Sequence, residues 1–266
     1  MNKLIIVFFC LASGISIHAQ ISSPGMGANP GSWEAIAIRQ GLDSSNLKQS
    51  VTYVGMGRIG NPNGYNPFQK SGIFVINEEF YNQFHKHWQY TAALSYRRQN
   101  DYSDIAPYEQ VNPIITQEFR LYGRFSYILK TSRIRLVATY RQEFRKFFTP
   151  EFRNSSEDLQ FRSRLRAQLT INLDHKKIYR LVMSAEALFS ITKNNFPQSW
   201  TNFAYHESRF CFYFAYAPKH KPFIINIGYM NDLLGTGSAV KGGNYLVGDI
   251  IFENPFGNVK GKKSQR

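Results

Sequence analysis

Residues 158–173 alternate apolar and polar side chains one by one, with arginines standing in the polar row. Leu159, Phe161, Leu165, Ala167, Leu169, Ile171 and Leu173 share one parity with Ser163. Gln160, Arg162, Arg164, Arg166, Gln168, Thr170 and Asn172 share the other. A helix would scatter the three arginines around its circumference, whereas a strand sets them in one row. Residues 133–148 repeat the pattern, Ile134, Leu136, Ala138, Tyr140 and Phe144 against Arg135, Thr139, Arg141, Glu143 and Arg145. Residues 115–129 do so again, Phe119, Leu121, Phe125, Tyr127 and Leu129 against Glu118, Arg120, Tyr122, Arg124 and Ser126. Such a sheet has to hide either its arginines or its apolar rows. A secreted β-sandwich acting as a binding protein alternates in the same way. It would have to bury arginine rows in its core or leave large apolar sheets wet. A barrel in lipid resolves the conflict, with apolar rows outside and polar rows inside.

The connections agree. Tight polar turns fall at His85-Lys86-His87, Lys130-Thr131-Ser132, Asp174-His175-Lys176-Lys177 and Pro218-Lys219-His220-Lys221. They recur about every 44 residues, a unit of two long strands and one long loop. Longer segments lie between them, near 60–70, 101–112, 149–157, 194–200 and 234–243. Short periplasmic turns facing long external loops are the asymmetry of outer-membrane barrels. Strands of about 13–16 residues also exceed the 5 or 6 usual in soluble sheets. Aromatic residues gather near strand ends, at Trp88 and Tyr90, Phe125 and Tyr127, Phe144–Phe148 and Phe212–Tyr216, as interfacial girdles do.

The N-terminus supplies a route to such a membrane. Lys3 precedes an apolar run from Leu4 to Ile17, and Ile17-His18-Ala19 before Gln20 predicts cleavage after Ala19. The run is too short to span, since a helix needs about 20 apolar residues. Cys10 lies within it, so Cys211 is the remaining cysteine and no intramolecular disulfide is expected. The formal charge of +14 would suggest nucleic acid for a cytosolic protein. Export removes that partner and leaves outer-membrane lipid, a small anionic solute or a charged interior to account for it. The sequence thus divides into a signal peptide (1–19), a lead-in that is an extra strand or a plug (20–48), a barrel (49–256) and a basic tail (257–266). The expected fold is an antiparallel up-and-down transmembrane barrel of about ten strands, or about twelve if Trp33–Gln40 adds one with a partner.

The stretches Gln117–Tyr127, Tyr140–Arg145 and Arg162–Arg166 resemble a domain-of-unknown-function family of Gram-negative outer-membrane β-barrels, in which "R-x-E-x-R" and "R-x-R-x-R" strands follow one another. The resemblance extends over about residues 33–256 and implies fold and location without an activity. One departure is the basic tail after Phe256, where many barrels end on an aromatic residue.

Several motifs invite chemistry. Gly55-Met56-Gly57-Arg58-Ile59-Gly60 spells a dinucleotide fingerprint, but Asn61-Pro62-Asn63-Gly64 follows in place of the required helix. No cofactor is expected. His85 and His87 have metal-compatible spacing but stand in a short turn without a third ligand, so no metal is expected either. The candidate functional surface is the lumen: Arg120, Arg124, Arg135, Arg141, Arg145, Arg162, Arg164 and Arg166, with Glu118, Glu143, Glu186 and Glu207. Arginine and carboxylate pair through bidentate hydrogen bonds, so such rows fill and rigidify a narrow interior. Left open, they would form an anion-permeable channel, because arginines outnumber acids. The function expected is therefore structural or a narrow channel, and not enzymatic. A second reading makes the chain an outer-membrane lipid hydrolase, with His206, Ser208 and Asn231 on the lipid-facing wall. It lacks the Asn-Gly that follows His-x-Ser in outer-membrane phospholipases, since Arg209-Phe210 stands there.

Overall fold

The computed structural model describes residues 30–103, 105–235 and 240–257, without the side chains of 112–114. The export signal at 1–19, the lead-in up to residue 29 and the basic tail beyond Gly257 lie outside the described residues. The strands are β1 (Gly31–Gly41), β2 (Lys48–Ile59), β3 (Lys70–His85), β4 (Trp88–Tyr102), β5 (Gln110–Lys130) and β6 (Ile134–Phe148). They continue as β7 (Asn154–Asn172), β8 (Tyr179–Asn195), β9 (Gln198–Trp200), β10 (Ala204–Tyr216), β11 (Phe223–Leu234) and β12 (Lys241–Glu253). The three arginine-rich strands fall where the alternation predicts them, as β5, β6 and β7.

Each strand pairs with the next, except that β9 is a short hairpin hung on β8, whose other edge-forming partner is β10. The ring then closes between β12 and β1, so eleven strands form a closed barrel. A two-sheet sandwich is therefore ruled out. Every pairing is antiparallel except the closure, where β1 lies parallel to β12 from Gly31 opposite Tyr245 to Arg39 opposite Glu253. An odd number of alternating strands forces one such pair. The expected range of ten to twelve strands contains the result, and Trp33–Gln40 is the strand that makes the count odd.

The parallel seam is fastened at its turn end. Arg39 Nη1 lies 3.0 Å from Glu253 Oε1, and the Gly41 N–H donates to Asn254 Oδ1 at 2.7 Å. At the other end Trp33 is fully enclosed, and a Cβ on Gly55 would sit 2.5 Å from its Cζ2. The glycine that looked like part of a nucleotide motif thus makes room for an indole. β1 enters from the end that carries the long loops and leaves at the end that carries the short turns. Pro30 and Phe256 consequently sit at opposite ends of the barrel.

Most irregularities lie at the long-loop end. Register shifts occur there at Gly57/Arg58, Asn100/Tyr102, Lys146/Phe148, Glu157/Leu159 and Tyr205/Glu207, against one at the turn end, Asn82/His85. Bulges are common at barrel rims, where strands outlast their regular pairing. At the turn end, Asp174 Oδ1 accepts the Tyr179 N–H at 2.8 Å, which holds the Asp174 carboxyl below its usual range.

Candidate functional site

The polarity of this barrel is inverted relative to a soluble one. Leu121 and Leu165 point outward and are 59% and 55% exposed, with Leu94, Ile227, Phe210 and Leu246 on the same outer face. Aromatic contacts bracket this band. Trp88 packs at a tilt against Phe125 and Tyr127, with ring centroids 4.9 and 4.7 Å apart, toward the turns. Tyr96–Phe119 (5.2 Å), Phe144–Phe161 (5.4 Å) and Phe161–Trp200 (6.0 Å) lie toward the loops. Along β5, Tyr127 and Phe119 are about 26 Å apart at ~3.3 Å per residue. Polar interruptions of the outer face satisfy one another: the Thr52 hydroxyl donates to Glu78, and the Ser163 hydroxyl to Gln142 Oε1 at 2.7 Å.

Inside, the charges interlock across strands. Glu143 on β6 is the hub and is wholly enclosed. Arg141 Nε stands 2.6 Å and Arg164 Nε 2.7 Å from its Oε1, with Arg120 Nε 3.6 Å from Oε2. Arg141 also lies over Tyr122, its Cζ 3.5 Å from the ring centroid. Glu118 on β5 takes Arg120 at 2.8 Å and Arg145 at 2.5 Å. Arg164 reaches on to Glu186 at 3.0 Å, and Arg209 ties Glu207 to Asp232 and Glu186. Nearer β3, Glu79 accepts from Tyr81, Tyr122 and Arg124. Buried carboxylates are costly unless paired with opposite charge, as these are.

Of the residues singled out for the lumen, all twelve lie on the inward parity. Glu118, Glu143, Glu207, Arg120, Arg141, Arg145, Arg162 and Arg164 are buried there, with Arg124, Arg135, Arg166 and Glu186 partly so. Arg166 donates to Gln168 Oε1 at 2.8 Å in place of a carboxylate. At mid-height Arg164 is 1% exposed and Glu143 is fully enclosed.

The interior also holds an apolar half that the arginine rows do not announce. Trp33, Ile73, Val75, Met230, Tyr245 and Val247 form one cluster. Ala37, Val51, Tyr81, Val182, Tyr213, Ile224 and Ile251 form a second. These clusters line the side built by β1–β3 and β10–β12, with Val182 reaching in from β8. Both faces of those strands are largely apolar, so alternation alone does not mark an inside.

The hydrolase constellation is not assembled. The Ser208 hydroxyl accepts a hydrogen bond from Tyr205 Oη at 2.9 Å, and Asn231 donates to Gly243 O and Asn244 Oδ1. Asn231 pairs with Phe210, and Ser208 with Leu233. His206 falls at the bulge between Tyr205 and Glu207, which turns it toward the loop-end mouth of the lumen. Counting along an unbroken strand had placed it on the outer wall beside Ser208. Of the two histidines at the turn between β3 and β4, His87 holds Ile128 O at 2.8 Å through Nδ1, and its ring centroid lies 5.9 Å from that of His85. Among the described residues no group of three or more potential metal ligands converges.

The mouth at the loop end is open. It holds a polar cavity of about 400 Å³ bounded by Arg97, Arg145, Arg162, His206 and Glu207. Arg97 donates to Gln99, and Arg162 Nε to Gln160 Oε1 at 3.1 Å.

No curated protein compared with this sequence matches it. The family described as "Protein of unknown function (DUF2490)" matches residues 81–240, from the end of β3 to the loop before β12. That span covers well over half the chain and holds every arginine-rich strand, so the chain belongs to the DUF2490 family.

Proposed function

We propose that the chain is an integral outer-membrane β-barrel with a lumen closed by its own arginine–carboxylate network, serving the envelope as a structural element. One observation carries the proposal. Leu121 and Leu165 stand exposed on the outer wall while Glu143 and its three arginines are sealed within. Water would penalise that arrangement on both faces, through a wet apolar belt and through desolvated charge. Lipid removes the first penalty, and a closed ring leaves no unpaired strand edge in it. The aromatic groups at either margin of the belt have the chemistry of interfacial girdles. A through-path is the second form of the same reading, but the sealed middle of the lumen favours closure.

Membrane fractionation combined with planar-bilayer recording tests this. The protein should sediment with outer membranes, require detergent for release, and migrate differently on unheated and heated SDS gels. It should then give no steady current. Recovery as a soluble monomer would contradict the membrane assignment. A steady anion-selective current, reduced by Arg141→Gln with Arg164→Gln, would replace closure by a channel.

A further inference from the structure

The cavity at the loop-end mouth contains two arginines that the ion-pair network does not use. Arg97 on β4 and Arg162 on β7 are 7% and 6% exposed. Among the described residues neither has a carboxylate at ion-pair distance. Each donates instead to a neutral side-chain amide, Arg97 to Gln99 and Arg162 to Gln160. A guanidinium carries five N–H donors in a fixed fork, so one bond to an amide uses only a small part of the donor capacity these two residues bring to the cavity lining. Buried cations without counter-charge are costly, and natural interiors pair them.

The acids around the same cavity are committed elsewhere or remote from the floor. Glu118 is taken by Arg120 and Arg145, and Glu207 by Arg209. Asp101 accepts from Gln99 Nε2 at 2.5 Å and from Thr116 Oγ1 at 3.3 Å. Glu157 is exposed at the rim. The floor of the mouth is thus cationic, walled by amides and hydroxyls, and open toward the loops.

We infer that this cavity is a binding site for a small hydrophilic anion carrying a phosphate or carboxylate group, held by Arg97 and Arg162. Its volume of about 400 Å³ admits a small solute and excludes a macromolecule. The barrel wall separates it from surrounding lipid, so the anion arrives from the solution at the mouth and not as a lipid headgroup. The inference depends on the membrane reading only for which solution that is.

Calorimetric titration of the refolded full-length protein with inorganic phosphate, and separately with citrate, tests the site. Saturable binding to one site by at least one of the two anions is expected, weakening as sodium chloride is raised. Arg97→Gln with Arg162→Gln should weaken it at least tenfold, while Arg133→Gln, exposed in the turn at the opposite end of the barrel, should leave it unchanged. Equal loss in all variants would reduce the binding to general attraction by net charge and overturn the site. Absence of binding by folded wild-type protein would overturn it while leaving the membrane assignment standing. Should the double variant fail to fold, Arg162→Gln alone carries the comparison. Should the protein prove soluble, the same titration is run without detergent, and the membrane assignment alone is lost.

Discussion

Arg164 Nε on β7 stands 2.7 Å from the Glu143 carboxylate on β6, with both side chains buried inside the barrel. Neither side chain could be there alone. Arg164 also reaches Glu186 on β8, so one guanidinium ties three consecutive strands together from within.

Unequal costs follow for the two partners. Arg164→Ala leaves Glu143 with Arg141 at 2.6 Å and Arg120 at 3.6 Å, and should cost about 1–3 kcal/mol. Glu143→Gln removes the anion from three guanidinium groups and should cost about 3–5 kcal/mol. Urea unfolding in micelles, followed by tryptophan emission, measures both. A Glu143→Gln protein as stable as wild type would mean that the network contributes nothing to stability.

Gly55 should tolerate no side chain. A Cβ there meets Trp33 at 2.5 Å, and that indole is fully enclosed, so Gly55→Ala should cost about 1–3 kcal/mol through forced displacement. Gly123→Ala is the matched control, since its nearest obstacle is Thr91 O at 3.9 Å, and should fall within about 0.5 kcal/mol of wild type. Equal effects at the two positions would argue that β1 does not pack as described.

The odd strand number makes a topological prediction. In intact cells, epitopes placed ahead of Pro30 and at Asn63-Gly64 should be accessible from one side of the membrane. Epitopes at Lys176-Lys177 and after Phe256 should be accessible only from the other. Antibody labelling before and after permeabilisation separates the two sets. Reporters at Pro30 and Phe256 exposed on the same side would exclude the parallel closure of β1 on β12.

The strands that define this fold were legible because their alternation carries charge. Arg162, Arg164 and Arg166 can share a row only in a strand, and β5, β6 and β7 follow directly. The closing pair was not legible. Parallel registry between Gly31 and Tyr245 joins residues from opposite ends of the chain, with no turn between them to signal it. The apolar half of the interior was hidden for another reason. On β11, Ile224 and Met230 face inward while Ile227 and Tyr229 face outward, so both parities are apolar. His206 was misplaced because one bulge reverses parity, and no residue at Tyr205–Glu207 announces a bulge in the sequence. The cavity at the mouth combines Arg97 and Arg162 from β4 and β7, a proximity that only the closed ring creates.

Hydrolysis at the outer wall should be absent. Ser208 is engaged by Tyr205, and His206 faces the mouth instead of Ser208. Purified protein should release no fatty acid from phospholipid vesicles. Release that disappears in both Ser208→Ala and His206→Ala would restore the catalytic reading.

The central claim, apolar wall outward into lipid and charged network inward, is tested most directly by spin labels placed singly along β7 in a Cys211→Ser background. Collision with oxygen, which dissolves in lipid, and with a water-soluble nickel chelate reports each label's surroundings. Labels at Phe161, Leu165 and Leu169 in reconstituted vesicles should collide freely with oxygen and scarcely with nickel, while labels at Arg164 and Gln168 should meet neither. Strong nickel collision at Leu165 would place the apolar wall in water and contradict the account.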